Sequence, residues 1–439
     1  MLKKIKSLIS LDNPFRLLYH KIRAIIANLI YGFPHKDMII IGITWTNGKT
    51  TTSNIVARWL REAGKKVFMF TTVNIIVGDE EFTNDTKMTS PDAFVLQKWL
   101  AYAKSKWCEI AVIETASHWI AMSRIWGLNY DILALTNITQ DHLDLHKTME
   151  KYVATKLSIF KKMMFYKRKK WVKKVAVINL DSDYSELFTS ETYDLLFTYW
   201  KDYKSNLQPK DIKTTIDWTE FSLKIPWNDI KIKTKLIWDF NVYNIMCAVA
   251  IFSSMWFDRE LIEKAIAKTS GVPGRMDLLE ANDWVKIYID YAHTEDALKN
   301  VLSTLRNIEW VNRIITVFGA TGDRDKTKRP IMWQVVAKYS DLIILTEDDN
   351  YSEDVHDIMK DIIPWIERKE WEGFWIIPDR KEAIMTALVA AKKWDIVLLA
   401  GKWDEHKIIR NDWPHDWHDK TIAKEILDEI EENKLIVKK

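Results

Sequence analysis

Short apolar runs alternate with helical stretches along most of this chain, and this alternation restricts the fold more than any other feature. From Asp37 onward, the runs "DMIIIGIT", "KVFMF", "EIAVIE", "DILALTNI" and "VAVINLD" have the continuous apolar character of buried parallel strands. Helical stretches at 50–63 and 91–104 lie between them. Strands and helices in this order predict an α/β fold with a doubly wound, mostly parallel sheet.

The alternation is interrupted once and then starts again. A strand-like region at about 187–237 and two helical stretches are followed by "GVPGR" at 271–275, which has the composition of a linker. The runs "VKIYIDYA", "RIITVFGA", "DLIILTED" and "DIVLLAG" then predict a second, Rossmann-like α/β unit. We therefore predict a short helical segment at 1–36, a central domain at 37–270 and a C-terminal domain at 271–439. The 439 residues suffice for two or three domains.

Charge and cysteine content exclude several classes of protein. A net charge of +3 gives no reason to expect a nucleic-acid partner. The two cysteines, Cys108 and Cys247, lie in apolar surroundings, which favours a reducing compartment over a disulfide framework. The start of the chain lacks the pattern of a signal peptide. We expect a cytoplasmic monomer.

One stretch, residues 15–33, is mostly apolar and nearly long enough to span a membrane. His20, Lys21 and Arg23 interrupt it, which argues against a membrane span. A basic amphipathic helix on a membrane surface is one interpretation, and a helix packed on its own protein is the other. Because most helices with such a face pack on their own protein, we expect the second.

The segment "GITWTNGKTTT" at 42–52 has the pattern of a phosphate-binding loop between a strand and a helix. Gly48, Lys49 and Thr50 stand at the turn into the helix, where backbone amides and the helix N-terminus can bind phosphate. Lys49 can neutralise the β and γ oxygens, and Thr50 can offer a hydroxyl to Mg²⁺. The spacing is one residue longer than in the plain loop with four residues between its glycines.

Tryptophan stands where such a loop requires glycine. An indole at Trp45 would either fill the nucleotide site or disturb the turn. The same pattern recurs in "NDW", "DW" and "KWD", in polar, turn-like settings. The chain has only 12 glycines against 22 tryptophans, whereas glycine usually makes up about 7% of a protein.

Two explanations are open for this excess. The protein is Trp-rich, or the gene uses UGA as a glycine codon and the sequence was translated with that codon as Trp. We favour recoding, and we expect Trp59 and Trp99, which lie in helical patterns, to be authentic. The codons of Trp45, Trp119, Trp238 and Trp403 distinguish the two, since UGG there excludes recoding.

With glycine at such positions, the chain resembles the Mur ligases, ATP-dependent amide-forming enzymes of peptidoglycan precursor synthesis, and most closely the MurE type. Besides the loop, "ETASHWIAMSR", "TNITQDHLDLH" and "YVATKLSIF" resemble the central catalytic segments of the family. "WDFNVYN", "GVPGRMD", "DYAHTEDAL", "FGATGDRDKTKRPIM" and "LLAGKWDE" resemble its nucleotide-contacting and C-terminal segments. The resemblance runs from about residue 39 to the C-terminus.

The resemblance implies ATP and two Mg²⁺ ions. Thr50 and Glu114 would hold the first ion, and His142 and Lys156 the second, with Lys156 carbamylated by CO₂ because an ammonium cannot bind a cation. Lys49, His142 and Lys156 would be catalytic. The implied ATP contacts are Asn47, Gly48, Lys49, Thr50, Thr51, Asn244, Arg275, Asp290 and His293. Taken alone, Glu114 also fits a strand-end carboxylate, His142 a helix cap and Lys156 a solvated helix face.

The resemblance also implies which residues bind the muramoyl-peptide acceptor and the incoming amino acid. They are Thr89, Ser90, Asp92, Ser117, Arg124, Arg324, Asp349, Asn350, Gly401 and Glu405. In members that add diaminopimelate, an arginine after an Asp-Asn-Pro segment binds the distal carboxylate, and Tyr351 stands at that position here. Lysine or another diamino acid is therefore as good a candidate.

The N-terminal part departs from the family. MurE-type enzymes carry a uridine-binding domain of about a hundred residues, a usual domain size, whereas 41 residues precede Gly42 here. How the acceptor's nucleotide or other carrier is bound is therefore open. Two further functions remain as alternatives: another ligase of the superfamily, such as a folylpolyglutamate synthase, and a nucleotide-binding relative without turnover.

Overall fold

A computed structural model gives the fold as two compact units, 1–270 and 271–439. The described residues are 13–44, 46, 48–84, 91–139, 143–200, 205–215, 218–225, 228–237, 239–269, 271, 275–282, 285–365, 372–402 and 407–437.

The first unit is built on a sheet of eight strands within the described residues. In chain order they are β1 (Ile39–Thr44), β2 (Val67–Phe70), β3 (Asn74–Val77), β4 (Glu80–Thr83), β5 (Ile110–Glu114), β6 (Ile132–Leu135), β7 (Val175–Asn179) and β8 (Leu195–Tyr199). Their order in the sheet is β4-β3-β2-β5-β1-β6-β7-β8. Strands β2, β5, β1, β6, β7 and β8 run parallel, and β3 and β4 pair in antiparallel fashion at one edge. This confirms the predicted doubly wound sheet.

Helices cover both faces of this sheet. They are α1 (Pro14–Ile30), α2 (Lys49–Glu62), α3 (Ala93–Ser105), α4 (Ser117–Ala121), α5 (Leu143–His146), α6 (Met149–Phe165), α7 (Ser185–Thr189), α8 (Asp239–Ser254) and α9 (Arg259–Ala267), with a 3₁₀ helix at Pro34–Asp37. Neighbouring residues of β1 enter different cores: Ile41 packs with α2 and α8, whereas Ile40 packs with α3 and α6. This alternation follows from the two-residue period of a strand.

The strand-like region before the linker forms a separate antiparallel sheet. Its strands are β9 (Gln208–Thr214), β10 (Thr219–Ile225) and β11 (Asn228–Thr234), in the order β11-β10-β9. The burial of β10 alternates, with Phe221, Leu223 and Ile225 in the core. These residues join the core of α2 and α8, so one side of the small sheet completes the hydrophobic interior of the first unit.

The second unit contains another mostly parallel sheet. Its strands are β12 (Asp277–Asn282), β13 (Val285–Asp290), β14 (Ile314–Phe318), β15 (Leu342–Leu345), β16 (Phe374–Ile376) and β17 (Ile396–Ala400), in the order β12-β13-β17-β14-β15-β16. Only β12 pairs in antiparallel fashion within this sheet as described. The sequence predicted four of these strands, and it missed β12 and the three-residue β16.

Helices and one hairpin complete the second unit. The helices are α10 (Glu295–Arg306), α11 (Lys328–Tyr339), α12 (Val355–Lys360), α13 (Arg380–Ala390) and α14 (Asp419–Val437), with a 3₁₀ helix at Ile363–Trp365. The hairpin pairs β18 (Lys407–Ile409) with β19 (Pro414–Asp416). The unit therefore has the predicted α/β class, and the hairpin is an element that the sequence pattern did not indicate.

Four tryptophans lie in left-handed backbone conformations that normally require glycine. Trp107, Trp171, Trp256 and Trp394 have φ angles of 62°, 66°, 64° and 69°. Trp107 follows α3 in a Schellman arrangement: its amide donates to the Lys104 carbonyl, and the next amide donates five residues back. Gly64 occupies the same position after α2 with φ 74°. These four positions fit the recoding explanation, which stays a prediction.

Two other tryptophans, Trp59 and Trp119, are buried, and their indole nitrogens are hydrogen-bonded. Trp59 is 1% exposed, and its indole nitrogen donates to the Thr269 hydroxyl at 2.6 Å. Trp119 is fully buried and donates to the Pro91 carbonyl at 2.9 Å. The structure gives no conformational reason for glycine at position 119. Trp45, Trp238 and Trp403 lie outside the described residues.

Helix α1 packs on its own protein as expected, but through its small side chains and not through its large apolar ones. Its small buried residues, Ala24 and Ala27, face the rest of the first unit. Phe15, Leu29 and Ile30 are more than 60% exposed. The small side chains allow close approach on one side, and the large ones remain on the other. Among the described residues, no helix combines the length and apolar character needed to cross a bilayer.

Candidate active site

The predicted phosphate loop lies between β1 and α2. Gly48 caps the helix with φ 87°, a conformation that glycine adopts without strain. Its carbonyl accepts the Thr52 amide at 2.9 Å, so the helix is hydrogen-bonded from its first turn. The N-terminus of α2 can therefore bind an anion. Trp45 and Asn47, the other loop residues of interest, lie outside the described residues.

The loop is tied to the segment that follows β6. Lys49 Nζ donates to the Thr46 carbonyl at 3.0 Å. The Thr46 hydroxyl donates to the Thr139 carbonyl at 3.1 Å and lies 3.2 Å from the Tyr152 hydroxyl. These bonds connect the phosphate loop to α6, which carries Lys156. The sequence did not single out Thr46 or Tyr152.

Thr50 and Glu114 meet at the carboxyl end of the central strands. The Thr50 hydroxyl donates to Glu114 Oε2 at 3.0 Å, and both residues are buried. Glu114 also accepts the Thr72 amide at 2.9 Å and the Thr72 hydroxyl at 3.1 Å. The pair offers hydroxyl and carboxylate oxygens, which are the ligands that Mg²⁺ prefers. The two residues expected to hold the first metal ion therefore lie together, and Thr72, which the sequence did not single out, fixes the Glu114 carboxylate.

Asn244 approaches the same helix from α8. Its Oδ1 accepts the Thr52 hydroxyl at 3.2 Å, and its Nδ2 donates to Asn241 Oδ1 at 2.9 Å. Thr51 is buried in the first turn of α2. The adenine-contacting segment expected from the sequence therefore lies against the phosphate-binding helix.

Lys156 is fully buried on α6, and its ammonium lies 4.8 Å from the centroid of the Tyr152 ring. Burial excludes the solvated-face interpretation. His142, its expected partner, lies outside the described residues. Within the described part of the chain, no group of three or more His, Cys, Asp or Glu side chains is placed to hold a metal ion. A site here would need oxygens from nucleotide or water, as Mg²⁺ sites commonly do.

Three residues expected to bind the acceptor, Ser117, Asp92 and Arg124, lie around α3 and α4. Ser117 Oγ is 3.0 Å from His146 Nε2. Asp92 caps α3 through the Phe94 amide and forms an ion pair of 2.9 Å with Arg23 of α1. Burial favours a raised pKa for Asp92, but Arg23 and the capping amide outweigh it and the pKa is lowered.

Arg124 lies near this acid. Burial lowers the pKa of Arg124, with Asp92 opposing that shift and Arg16 and Arg23 adding to it. Thr89 and Ser90, also expected at the acceptor, lie outside the described residues. Asp92 and Arg124 therefore place a carboxylate and a guanidinium near each other, beside Arg23 of α1.

In the second unit, Arg275, Asp290 and His293 gather around Tyr291. The guanidinium of Arg275 is 4.9 Å from the Tyr291 ring centroid, and the His293 ring is 4.2 Å from it. Asp290 accepts the Met276 amide at 2.7 Å and the Ala292 amide at 2.8 Å. Burial raises the pKa of Asp290 despite these bonds and the nearby Arg275. Tyr291 was not predicted, although its place inside "DYAHT" is a usable signal.

A second cluster in this unit holds Asp349, Asn350 and Gly401. Lys402 is 1% exposed, and its ammonium bonds Asp349 and lies 3.7 Å from Asp348. Burial favours a raised pKa for Asp348, but Lys402 and Arg380 outweigh it and lower the pKa. Gly401 has φ 95° beside Asp348. Lys402, adjacent to a predicted residue, was missed because its burial cannot be read from composition.

Arg324 reaches this cluster because two loops pack backbone to backbone. The Gly322 amide donates to the Asp349 carbonyl at 2.8 Å. A Cβ on Gly322 would lie 1.9 Å from the Asn350 carbonyl oxygen, which excludes any side chain there. The Arg324 guanidinium consequently lies 5.5 Å from the Tyr351 ring centroid. Glu405, expected at the same place, lies outside the described residues.

Comparisons with known proteins agree with this architecture. Residues 43–252 match the Mur ligase middle domain, and residues 274–403 match the Mur ligase, glutamate ligase domain. A UDP-N-acetylmuramoyl-L-alanyl-D-glutamate–2,6-diaminopimelate ligase of Syntrophomonas wolfei is 35% identical over 92% of this chain and 81% of its own length. The ligase of the same name from Bacillus cereus is 37% identical over 95% and 84%.

Solved structures give the same result. A ligase of that name has a TM-score of 0.63 at 28% identity, covering 94% of this chain and 83% of its own. Mycobacterium tuberculosis folylpolyglutamate synthase has a TM-score of 0.71 at 16% identity, covering 91% and 95%. At that identity the second likeness concerns the fold alone.

Together with this fold, the matching family model and the relatives identify an ATP-dependent carbon–nitrogen ligase. The chain belongs to the Mur ligase family, and its relatives of the MurE type are the ones reported above. The resemblance predicted from the sequence is confirmed.

Proposed function

We propose that this protein uses ATP to join an amino acid to the carboxylate of a muramoyl-peptide precursor of peptidoglycan. The relatives from Syntrophomonas wolfei and Bacillus cereus carry the name of such a ligase. The observation that carries the proposal is the Thr50–Glu114 pair at 3.0 Å beside the N-terminus of α2. It supplies oxygen ligands for Mg²⁺ next to a place for the triphosphate.

The reaction divides into two steps. A carboxylate oxygen of the acceptor attacks the γ-phosphorus, the bond to the β-phosphate oxygen breaks, and acyl phosphate and ADP form. The amine of the incoming amino acid then attacks the acyl carbon, phosphate leaves, and the nitrogen loses a proton. Such chemistry depends mainly on positioning and charge neutralisation.

The residues of the first unit have distinct tasks in this scheme. Lys49 neutralises phosphate oxygens once it leaves the Thr46 carbonyl, which it reaches at 3.0 Å here. Thr50 and Glu114 would hold Mg²⁺, which supplies charge neutralisation on the phosphates. Asn244 contacts the same helix through Thr52 and supports the nucleotide base from α8.

Lys156 fits a carbamate in the proposed second metal position. A fully buried ammonium pays a large desolvation cost. Reaction of the neutral amine with CO₂ would replace that cation with an anion and provide oxygens for a divalent ion. Mass spectrometry of the intact protein under bicarbonate, compared with Lys156→Ala, tests this modification independently of activity.

The incoming amino acid is proposed to be a diamino acid, and its identity depends on the surroundings of Tyr351. A phenol cannot bind a distal carboxylate in the bidentate manner of arginine. Arg324 lies beside it, so diaminopimelate and lysine both stay candidates. Tyr351→Arg is expected to raise kcat/KM for diaminopimelate relative to lysine at least about tenfold, and Tyr351→Phe serves as the control.

The test of the proposed function is product formation by the purified protein. It is incubated with ATP, Mg²⁺, UDP-N-acetylmuramoyl-L-alanyl-D-glutamate and either diaminopimelate or lysine, and the product is identified by mass. The chain as printed and a version with glycine at Trp45, Trp238 and Trp403 are compared. We expect product with the restored version and no product after Lys49→Ala.

Two results contradict the proposal. Glutamate addition to a folate by the same preparation, with no muramoyl product, favours the folylpolyglutamate synthase alternative. ATP binding by the restored version without turnover of either acceptor favours a relative without catalysis.

A further inference from the structure

Helix α1 presents a continuous apolar surface to solvent. Its exposed aliphatic and phenyl side chains are Phe15, Leu18, Ile22, Ile26, Leu29 and Ile30, which are between 42% and 82% exposed. At 3.6 residues per turn they occupy one stripe covering roughly a third of the helix circumference. A surface helix of a globular protein ordinarily points such a stripe at the core. We call these six residues the outer stripe.

The orientation of α1 is fixed by its other side. Ala24 and Ala27 are fully buried and pack with Ala93 at the start of α3. Asn28 Nδ2 donates to the Ala24 carbonyl at 2.8 Å and to the Trp126 carbonyl at 3.0 Å. The bond to Trp126 joins α1 to another segment of the first unit, so turning the helix to bury the outer stripe would break it.

Arg23 fixes the helix from a second direction. Its Nε and NH2 groups donate to the two oxygens of Asp92 at 3.2 and 2.9 Å. This bidentate pair joins α1 to the cap of α3. The contacts of α1 with the rest of the first unit therefore keep the outer stripe facing solvent.

The charged side chains that α1 itself carries are all positive, although Arg23 is paired with Asp92. Helix α1 contains no aspartate or glutamate. On the helix surface Lys21 lies at one edge of the stripe, and Arg16 and Arg23 lie at the other. The preceding residues 1–12 add Lys3, Lys4 and Lys6 against Asp12 in sequence. An apolar stripe bordered by cations matches the boundary between acyl chains and anionic headgroups.

Two other occupants fit these charges less well. A second copy docked through the same stripe would bring cations against cations with no carboxylate of α1 to pair with them, which disfavours association. A protein partner would need an apolar groove as long as the helix, about 25 Å, with an acidic border on both sides. An anionic bilayer provides both properties at once.

We propose that α1 docks this protein on anionic membrane surfaces, with the outer stripe among the acyl chains and Lys21 and Arg16 at the headgroups. The docking does not depend on the proposed reaction, and no tryptophan occurs before Trp45, so it is also independent of recoding. Through Arg23 it would place the bilayer next to Asp92, on the side of the first unit expected to receive the acceptor.

Vesicle co-sedimentation of the full chain tests the proposal. With vesicles of phosphatidylcholine and phosphatidylglycerol we expect the protein in the pellet, with binding at least about tenfold weaker on pure phosphatidylcholine and reduced by added salt. A protein that stays in the supernatant at every lipid composition overturns the proposal.

Variants assign the binding to the helix. Leu18→Ser/Ile22→Ser/Leu29→Ser is expected to lose binding to the anionic vesicles at least about tenfold. The control Leu187→Ser/Val389→Ser removes apolar side chains that are 48% and 67% exposed on other helices and should bind like the unaltered protein. Equal binding by the triple variant and the control contradicts the proposal.

Two further measurements cover the remaining outcomes. If light scattering finds a dimer that the triple variant abolishes while vesicles bind neither protein, the stripe is a contact between copies and the proposal is wrong. If the triple variant does not fold, hydrogen exchange on the unaltered chain decides the matter. Protection of α1 by anionic but not neutral vesicles supports docking, and unchanged exchange contradicts it.

Discussion

The Thr50 hydroxyl and the Glu114 carboxylate are joined by a hydrogen bond of 3.0 Å at the carboxyl end of neighbouring parallel strands. Since Thr72 supplies two further bonds to Glu114, Glu114→Gln should retain the fold while losing a charged Mg²⁺ ligand. We expect kcat/KM for ATP to fall at least about a hundredfold. A Mg²⁺ titration of ATP turnover measures this decrease in kcat/KM. The control is Glu109→Gln, an exposed glutamate directly before β5. A wild-type Mg²⁺ dependence in Glu114→Gln would exclude the site.

Glycine is expected to stabilise the protein at two helix ends where tryptophan now stands. Trp107 and Trp256 have φ angles of 62° and 64°, and a left-handed conformation costs a residue with Cβ about 1 kcal/mol. Trp107→Gly and Trp256→Gly should each raise the free energy of unfolding by about 1 kcal/mol, measured by urea denaturation.

Two controls test this reasoning. Gly64→Ala places a Cβ at the matching left-handed position after α2, the reverse of the tryptophan-to-glycine changes. It should destabilise the protein by about 1 kcal/mol. Trp59→Gly empties a buried site and should cost about 3–5 kcal/mol. Loss of stability in both C-terminal-cap variants contradicts the prediction, and UGG codons at Trp107 and Trp256 would separately exclude recoding there.

His35 is expected to make the first unit less stable in mild acid. It is 2% exposed, and burial, followed by Lys169 and Lys36, lowers its pKa to about 4. The unfolded chain takes up the proton near pH 6.5, whereas the folded chain does so only near its lowered pKa. Stability contributed by the neutral ring is therefore complete above pH 6.5 and decreases by roughly 2–3 kcal/mol as the pH falls toward 4.

Thermal unfolding midpoints of the first unit between pH 7.5 and 4.5 measure this effect. His35→Gln should show a smaller decrease with falling pH, and His356→Gln, at an exposed position of the second unit, should follow the unaltered protein. Parallel pH curves for His35→Gln and the unaltered protein rule out the assignment.

Lys402 is expected to be essential for the stability of the second unit. It bonds Asp349 and lies 3.7 Å from Asp348, and all three side chains are nearly buried. Lys402→Met removes the cation that bonds Asp349 and leaves Arg380 as the main cation near Asp348, and it should cost about 3–5 kcal/mol. Lys402→Met/Asp349→Asn should recover part of that loss in a double-mutant cycle on unfolding free energies. Additive losses would mean that the pair is not coupled.

The sequence allowed the prediction of the parallel strands, because buried strands form continuous apolar runs. It also allowed the prediction of the loop, because Gly48, Lys49 and Thr50 form a recognisable local motif. It did not indicate β16, whose three residues are too short for a pattern, or the hairpin at 407–416. It also missed Lys402 and Thr72, since their roles depend on side chains that meet across the chain. The sequence predicted that α1 packs on its own protein but not that its large apolar side chains face solvent, because an amphipathic pattern does not reveal which side of a helix faces the protein.

The contact between Gly322 and Asn350 has a consequence for how this enzyme can change. Because the two loops touch through their backbones, neither can shift without moving the other. A side chain such as Tyr351 can therefore be exchanged while this frame stays the same, whereas a side chain at Gly322 would displace both loops.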